Sequence, residues 1–147
     1  MKKQRIRIVL LIAWMIIIFL FSHQPAEISN QNNEFIVYLF NLLGIDLHSA
    51  FGELIDFIIR KAAHFTEYFI LYILFYNVFK DYKSFSKSLI YSLIGVFLYA
   101  CTDEFHQLFV PGRTGKPVDV LIDTAGGLTA LTVIYIVSIF KKRAFAQ

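Results

Sequence analysis

Apolar residues run unbroken from Ile8 to Phe21, behind a basic lead formed by Lys2, Lys3, Arg5 and Arg7. Three further apolar stretches lie at about 62–79, 88–109 and 118–140. Runs of this length without period-two alternation predict membrane-spanning helices, the first covering about 8–22. A basic lead before an apolar run also opens a signal peptide, but Phe21-Ser22-His23-Gln24-Pro25 offers no small-x-small cleavage site. An uncleaved first span ended by Pro25 is expected. Between the first and second spans the pattern changes. Phe35 to Leu43 is too short to cross, while Gly44, Asp46, His48, Glu53 and Asp56 interrupt the segment after it. Phe51, Leu54, Ile55 and Ile58 recur at i, i+3, i+4 and i+7, with Glu53, Asp56 and Arg60 on other faces. One or two interfacial helices are expected here, the later one running into the second span. The fold class predicted is all-α: a polytopic bundle of four transmembrane helices in a single domain.

Charge placement orients the bundle. Basic residues gather in the N-terminal lead, in the second-to-third loop (Lys80, Lys83, Lys87) and in the C-terminal tail (Lys141, Lys142, Arg143). The first-to-second loop carries Glu27, Glu34, Asp46, Glu53 and Asp56 instead. The positive-inside rule then puts both termini in the cytoplasm. A fifth crossing through 35–59 would separate the two basic tails and is rejected. The net charge of +3 is therefore a topology signal and gives no support to nucleic-acid binding. Of the 147 residues 57% are apolar and 17% charged, against about a quarter charged in a soluble domain. Disorder, a disulfide scaffold and a separate soluble catalytic domain are thereby disfavoured. Cys101, the single cysteine, lies in an apolar stretch and is read as packing.

The remaining ionisable residues share one depth. Lys61, His64 and Glu67 sit at the outer end of the second span, Asp103, Glu104 and Gln107 at the outer end of the third, and Asp119 and Asp123 at the outer start of the fourth. Arg113 lies in the external loop between the last two spans. Lys61, His64 and Glu67, three apart, are expected as a row on roughly one helical face. Spacings of three and four residues give each helix such a polar stripe, and in lipid these stripes face a bundle interior or a wet cavity. Arg60 and Lys116 are read as groups reaching the interface, and His23, His48 and His106 as surface or interfacial. The set fits a structural polar network or a functional site. In the second case His64, Glu67, Asp103, Asp119 and Asp123 would carry acid–base work, and Lys61, Glu104, Gln107 and Arg113 would bind a ligand, the two cations holding its phosphate or carboxylate. Several carboxylates in a low dielectric need protons or a cation for balance. No cofactor is required, but a divalent cation on His64, Glu67, Asp103, Asp119 and Asp123 is a further option. There is no HExxH, no GxSxG, and only a faint phosphate-loop likeness in Gly112-Arg113-Thr114-Gly115-Lys116. Gly126-Gly127 would serve a close helix crossing, either within the chain or in a homodimer.

Phe21-Ser22-His23-Gln24-Pro25, Arg60-Lys61-Ala62-Ala63-His64-Phe65-Thr66-Glu67-Tyr68, Asp103-Glu104-Phe105-His106-Gln107, Pro111-Gly112-Arg113 and Asp119-Val120-Leu121-Ile122-Asp123 with Gly126, taken in this order, resemble the VanZ-like family. The family often has Ser where this chain has His23. The resemblance implies a small polytopic protein of the bacterial cytoplasmic membrane. It also implies a link to envelope chemistry, since the family's namesake is associated with low-level resistance to the glycopeptide teicoplanin. The expected partners are the bilayer and a lipid-linked or anionic headgroup ligand, bound or modified at the outer face. The alternative is a membrane enzyme doing acid–base or phosphoester chemistry on a lipid-linked substrate.

Overall fold

The computed structural model describes residues 2–144, the side chains of His48, Ala50 and Glu53 excepted. The positions expected for His48 and Glu53 therefore lie outside the described residues. No strand occurs among the described residues, as the fold-class prediction requires. The helices are α1 (Lys2–Ser22), α2 (Ala26–Leu42), α3 (Leu47–Phe51), α4 (Ile55–Phe79), α5 (Phe85–Gln107) and α6 (Pro117–Ala144), with a 3-10 turn, Gly52–Leu54, between α3 and α4.

Local sequence explains the boundaries. Pro25 follows α1 and caps α2. Gly44, at φ +80°, ends α2: Gly44 N–H donates to the Asn41 carbonyl and Ile45 N–H to the Phe40 carbonyl, satisfying the last turn. Pro117 opens α6 at a position where its missing N–H is no loss, and Lys141, Lys142 and Arg143 occupy the last turn, where cations favour the helix dipole.

Three helices, α1, α5 and α6, are long and apolar enough to cross a membrane. The second sequence span lies within α4, which starts at Ile55 and so takes in only the later part of the expected amphipathic helix; Phe51 closes α3 and Leu54 lies in the 3-10 turn, where Gly52 at φ +55° breaks the continuity. Helix α4 is not among those three, and polar residues, His64, Glu67 and Asn77, interrupt its apolar run.

Helix α4 is nevertheless the centre of the molecule, packed against α1, α2, α5 and α6. Tyr68, Leu71 and Tyr72 on α4 are fully buried with Val96 and Ala100 on α5, Ala130 on α6 and Ile18 on α1. Two tyrosine hydroxyls and an indole tie helices to backbone. Trp14 Nε1 donates to the Glu67 carbonyl at 3.0 Å, Tyr99 Oη to the Met15 carbonyl at 2.6 Å, and Tyr72 Oη to the Leu89 carbonyl at 3.1 Å. These contacts run α1 and α5 antiparallel to α4, while α6 runs parallel to it. At the basic end Arg7 pairs with Asp81 in the α4–α5 turn.

Candidate functional site

At the opposite end of the bundle α1 and α5 finish, α6 starts, and α4 passes between them. Asp119 lies in the first turn of α6, where a carboxylate complements the helix dipole, and Asp123 one turn further in is fully buried. Both face α4. Lys61 Nζ is 2.6 Å from Asp119 Oδ1, and His64 Nδ1 is 3.4 Å from Asp123 Oδ1. This pairing depends on Gly126, because a Cβ there would collide with the Phe65 carbonyl oxygen. The backbones of α4 and α6 therefore touch directly. Gly127 meets Val96 on α5 in the same way, since a Cβ added to it would stand 2.8 Å from a Val96 methyl. The glycine pair thus serves crossings within one chain.

Helix α5 brings three buried polar side chains to the same point: Asp103, Glu104 and Gln107. Gln107 Nε2 donates to Asp103 Oδ2 at 3.3 Å, and the backbone N–H of Lys116 donates to Glu104 Oε2 at 2.8 Å. The loop reaches Glu104 because Gly115 lies flat on α5, where a Cβ would collide with the Glu104 carbonyl oxygen. One ligand atom each from His64, Asp103, Glu104 and Asp123 falls within 4.8 Å of the others. Glu104 Oε1, His64 Nδ1 and both oxygens of Asp123 are buried without a hydrogen-bond partner among the described residues.

The single row expected for Lys61, His64 and Glu67 divides. Six residues at about 100° each turn the helix by about 120° net, so Lys61 and Glu67 cannot share a face. Lys61 and His64 face α6, whereas Glu67 lines a cavity of about 450 Å³ toward α1 and α2. The compact group therefore contains Glu104, with Glu67 and Asp119 outside it.

That cavity is walled by Phe21, Phe35 and Ile36 on its apolar side and by Arg60, His64 and Arg113 on its polar side. A second, polar cavity of about 90 Å³ lies across the same three residues and adds Lys61, Lys116 and Asp119. Arg60, expected at the interface, is half-buried on this wall: its Nη2 donates to exposed Asn30 Oδ1 on α2 at 2.6 Å, while Nε is buried without a partner among the described residues. Arg60, His64 and Glu67 stand at i, i+4 and i+7, one face of α4. Arg113 is fixed by Nε donating to the Gln24 carbonyl at 3.1 Å, in a loop anchored where Ala26 N–H meets the Pro111 carbonyl. Burial, and after it the neighbouring Arg60 charge, lower the pKa of Arg113 from its ordinary value. His106, read as interfacial, stays outside this group, and its Nε2 meets exposed His23 Nδ1 at 3.0 Å.

The VanZ/LLP1 family profile matches residues 7–140, from the first turns of α1 almost to the end of α6. The chain belongs to the VanZ/LLP1 family. No curated protein and no solved structure gives a significant match. With three helices long and apolar enough to cross a bilayer, the chain is a VanZ-like membrane protein. The VanZ/LLP1 match takes in every polar residue gathered at this end, from Ser22 on α1 to Asp123 on α6.

Proposed function

We infer that the chain crosses the bacterial cytoplasmic membrane four times with both termini in the cytoplasm, and that its polar end binds an anionic headgroup at the outer leaflet. The ligand would be a phospholipid or a lipid-linked envelope precursor. Two features support the four-pass reading. Helix α4 lies antiparallel beside α1 and α5, and the basic lead, the α4–α5 turn and the C-terminal tail are separated from the acidic end. Helices α2 and α3 would then rest in the outer interface, with Phe35, Tyr38 and Leu39 exposed toward lipid.

The observation that carries the binding reading is the shared wall of the two cavities. Arg60 from α4 and Arg113 from the loop stand together, half-buried, between an apolar chamber and a polar one. Two neighbouring guanidiniums repel each other, and an anion between them removes that repulsion while using their planar donor forks. The phenylalanine-lined chamber suits the first carbons of an acyl chain, and the smaller polar cavity suits a phosphate.

The test uses purified full-length protein in EDTA-containing detergent, titrated with short-chain phosphatidylglycerol or phosphatidylcholine and read by native mass spectrometry and thermal shift. Preferential phosphatidylglycerol binding is expected. Arg113→Ala and Arg60→Ala should each weaken it about tenfold or more, the scale of one lost charge-assisted hydrogen bond. Equal affinity for the two lipids, or no effect of either substitution, would sink the reading. Holding a headgroup would influence glycopeptides through access to the surface. A rise in the teicoplanin inhibitory concentration on expression, lost in Arg113→Ala, tests that extension. Appearance of a chemically altered lipid in the same incubation would replace binding with catalysis.

A further inference from the structure

We propose that His64, Asp103, Glu104 and Asp123 form a binding site for one first-row divalent cation, of the Mn²⁺, Fe²⁺ or Zn²⁺ class. The site lies between α4, α5 and α6 and shares only His64 with the headgroup cavities. Four donors from three helices converge within 4.8 Å. Donors at about 2.0–2.2 Å from a tetrahedral ion stand about 3.3–3.6 Å from one another. Side-chain shifts of up to about an ångström close the cluster on an ion.

Convergence of acids alone would not make a site; the second observation is the state of Asp123. Its side chain is fully buried, and neither carboxylate oxygen has a hydrogen-bond partner among the described residues. His64 Nδ1 lies 3.4 Å from Oδ1 without hydrogen-bond geometry, and a carboxylate stripped of its hydration with so little in exchange costs several kcal/mol unless something else coordinates it. His64 Nδ1 and Glu104 Oε1, which belong to the same group, are buried and unpartnered as well.

The surrounding contacts are those of a metal's outer shell. Gln107 holds Asp103 through Oδ2, and the Lys116 backbone holds Glu104 through Oε2. In the case of Glu104 this orients the carboxylate and leaves Oε1 free, the arrangement by which neighbouring groups aim metal ligands. The nearby ammonium does not fill the role, because Lys61 is committed to Asp119 at 2.6 Å. Three carboxylates and one imidazole make a mixed oxygen–nitrogen donor set. That composition suits Mn²⁺, Fe²⁺ or Zn²⁺ better than Mg²⁺, which keeps its waters, or Cu⁺, which prefers sulfur. The ion would join three helices and offset two of three buried negative charges.

The experiment needs no lipid. Full-length protein is purified, stripped with EDTA, and titrated with Mn²⁺ alone, free ion being read by electron paramagnetic resonance. About one ion per chain is expected, with a thermal midpoint that rises on binding. Asp123→Asn and Glu104→Gln should each weaken affinity about tenfold or more, while Glu34→Gln, on the exposed face of α2, should leave it unchanged. Co²⁺ supplies a measurement that does not depend on a stable Asp123 variant: its visible absorption bands should appear in the wild type and shift in His64→Gln. The proposal is overturned if stripped wild type, helical by circular dichroism, binds no ion. It is equally overturned if the substitutions leave affinity within about twofold, or if Asp123→Asn stabilises the EDTA-treated protein while cations have no effect. That last result would assign the cluster to a proton-sharing network. Because the lipid titration is run in EDTA, either conclusion can fail alone.

Discussion

Lys61 and Asp119 have side chains only 18% and 14% exposed, so neither charge keeps a full water shell and each depends on the other. Lys61→Met strands the Asp119 carboxylate and should destabilise the fold by about 2–3 kcal/mol, discounted for the remaining exposure. The double substitution Lys61→Met/Asp119→Leu should recover most of that loss in a thermal or denaturant melt. A double variant as unstable as the single one would show that the pair contributes position and not mutual compensation. At this scale the sequence was informative wherever depth alone decides. Asp103 and Asp123 are set a turn or more inside the outer ends of their spans and both are buried, whereas Glu67, inset further, is half-buried because it faces a cavity. Arg60 has a long side chain that can reach either the interface or the cavity wall, and only its tertiary partner chooses. That partner, Asn30, comes from a segment whose docking no local pattern encodes.

Helix α6 meets α4 through Gly126, where an added Cβ would strike a backbone oxygen that cannot rotate away. Gly126→Val should therefore separate the helices, cost about 3 kcal/mol or more, and disturb the Lys61–Asp119 and His64–Asp123 registers together. Gly127→Ala should be milder, since the obstacle is a Val96 methyl. Yield and thermal midpoint of the two variants in detergent check the order, and a reversed order would mean that the α5–α6 contact dominates. Four apolar stretches were visible along the chain, whereas the amphipathic segment expected to run unbroken into the second span is interrupted at Gly52–Leu54, and only its part from Ile55 onward joins α4. The division of Lys61, His64 and Glu67 between two faces follows from the helical step of about 100°, so a row with uniform spacing of three drifts around the helix. Their separate surroundings, α6 on one side and α1 with α2 on the other, depend on which helix packs where.

Across the whole molecule the proposed orientation makes a prediction that single residues cannot. With Cys101 replaced by Ala, a cysteine introduced at Thr114 should react with an impermeant maleimide in intact cells. Cysteines at Lys3 and Lys142 should react only after permeabilisation. Labelling of Thr114 exclusively from inside would invert the bundle and move the headgroup site to the cytoplasmic leaflet. The apolar runs by themselves determined an all-helical membrane protein, because a hydrocarbon solvent forces every backbone group to be satisfied within its own segment. The motif order determined the family, and the depth of the charges gathered the candidate residues at one end of the spans. Which of them meet was decided only by tertiary structure. Two helices touching at Gly126 join Lys61 to Asp119 and His64 to Asp123, the loop lying on Gly115 orients Glu104, and Glu67 turns away to a different cavity. Periodicity reports which face of a helix is polar; the rotation and register of one helix against another arise from packing between residues far apart in the chain, where sequence spacing carries no distance information.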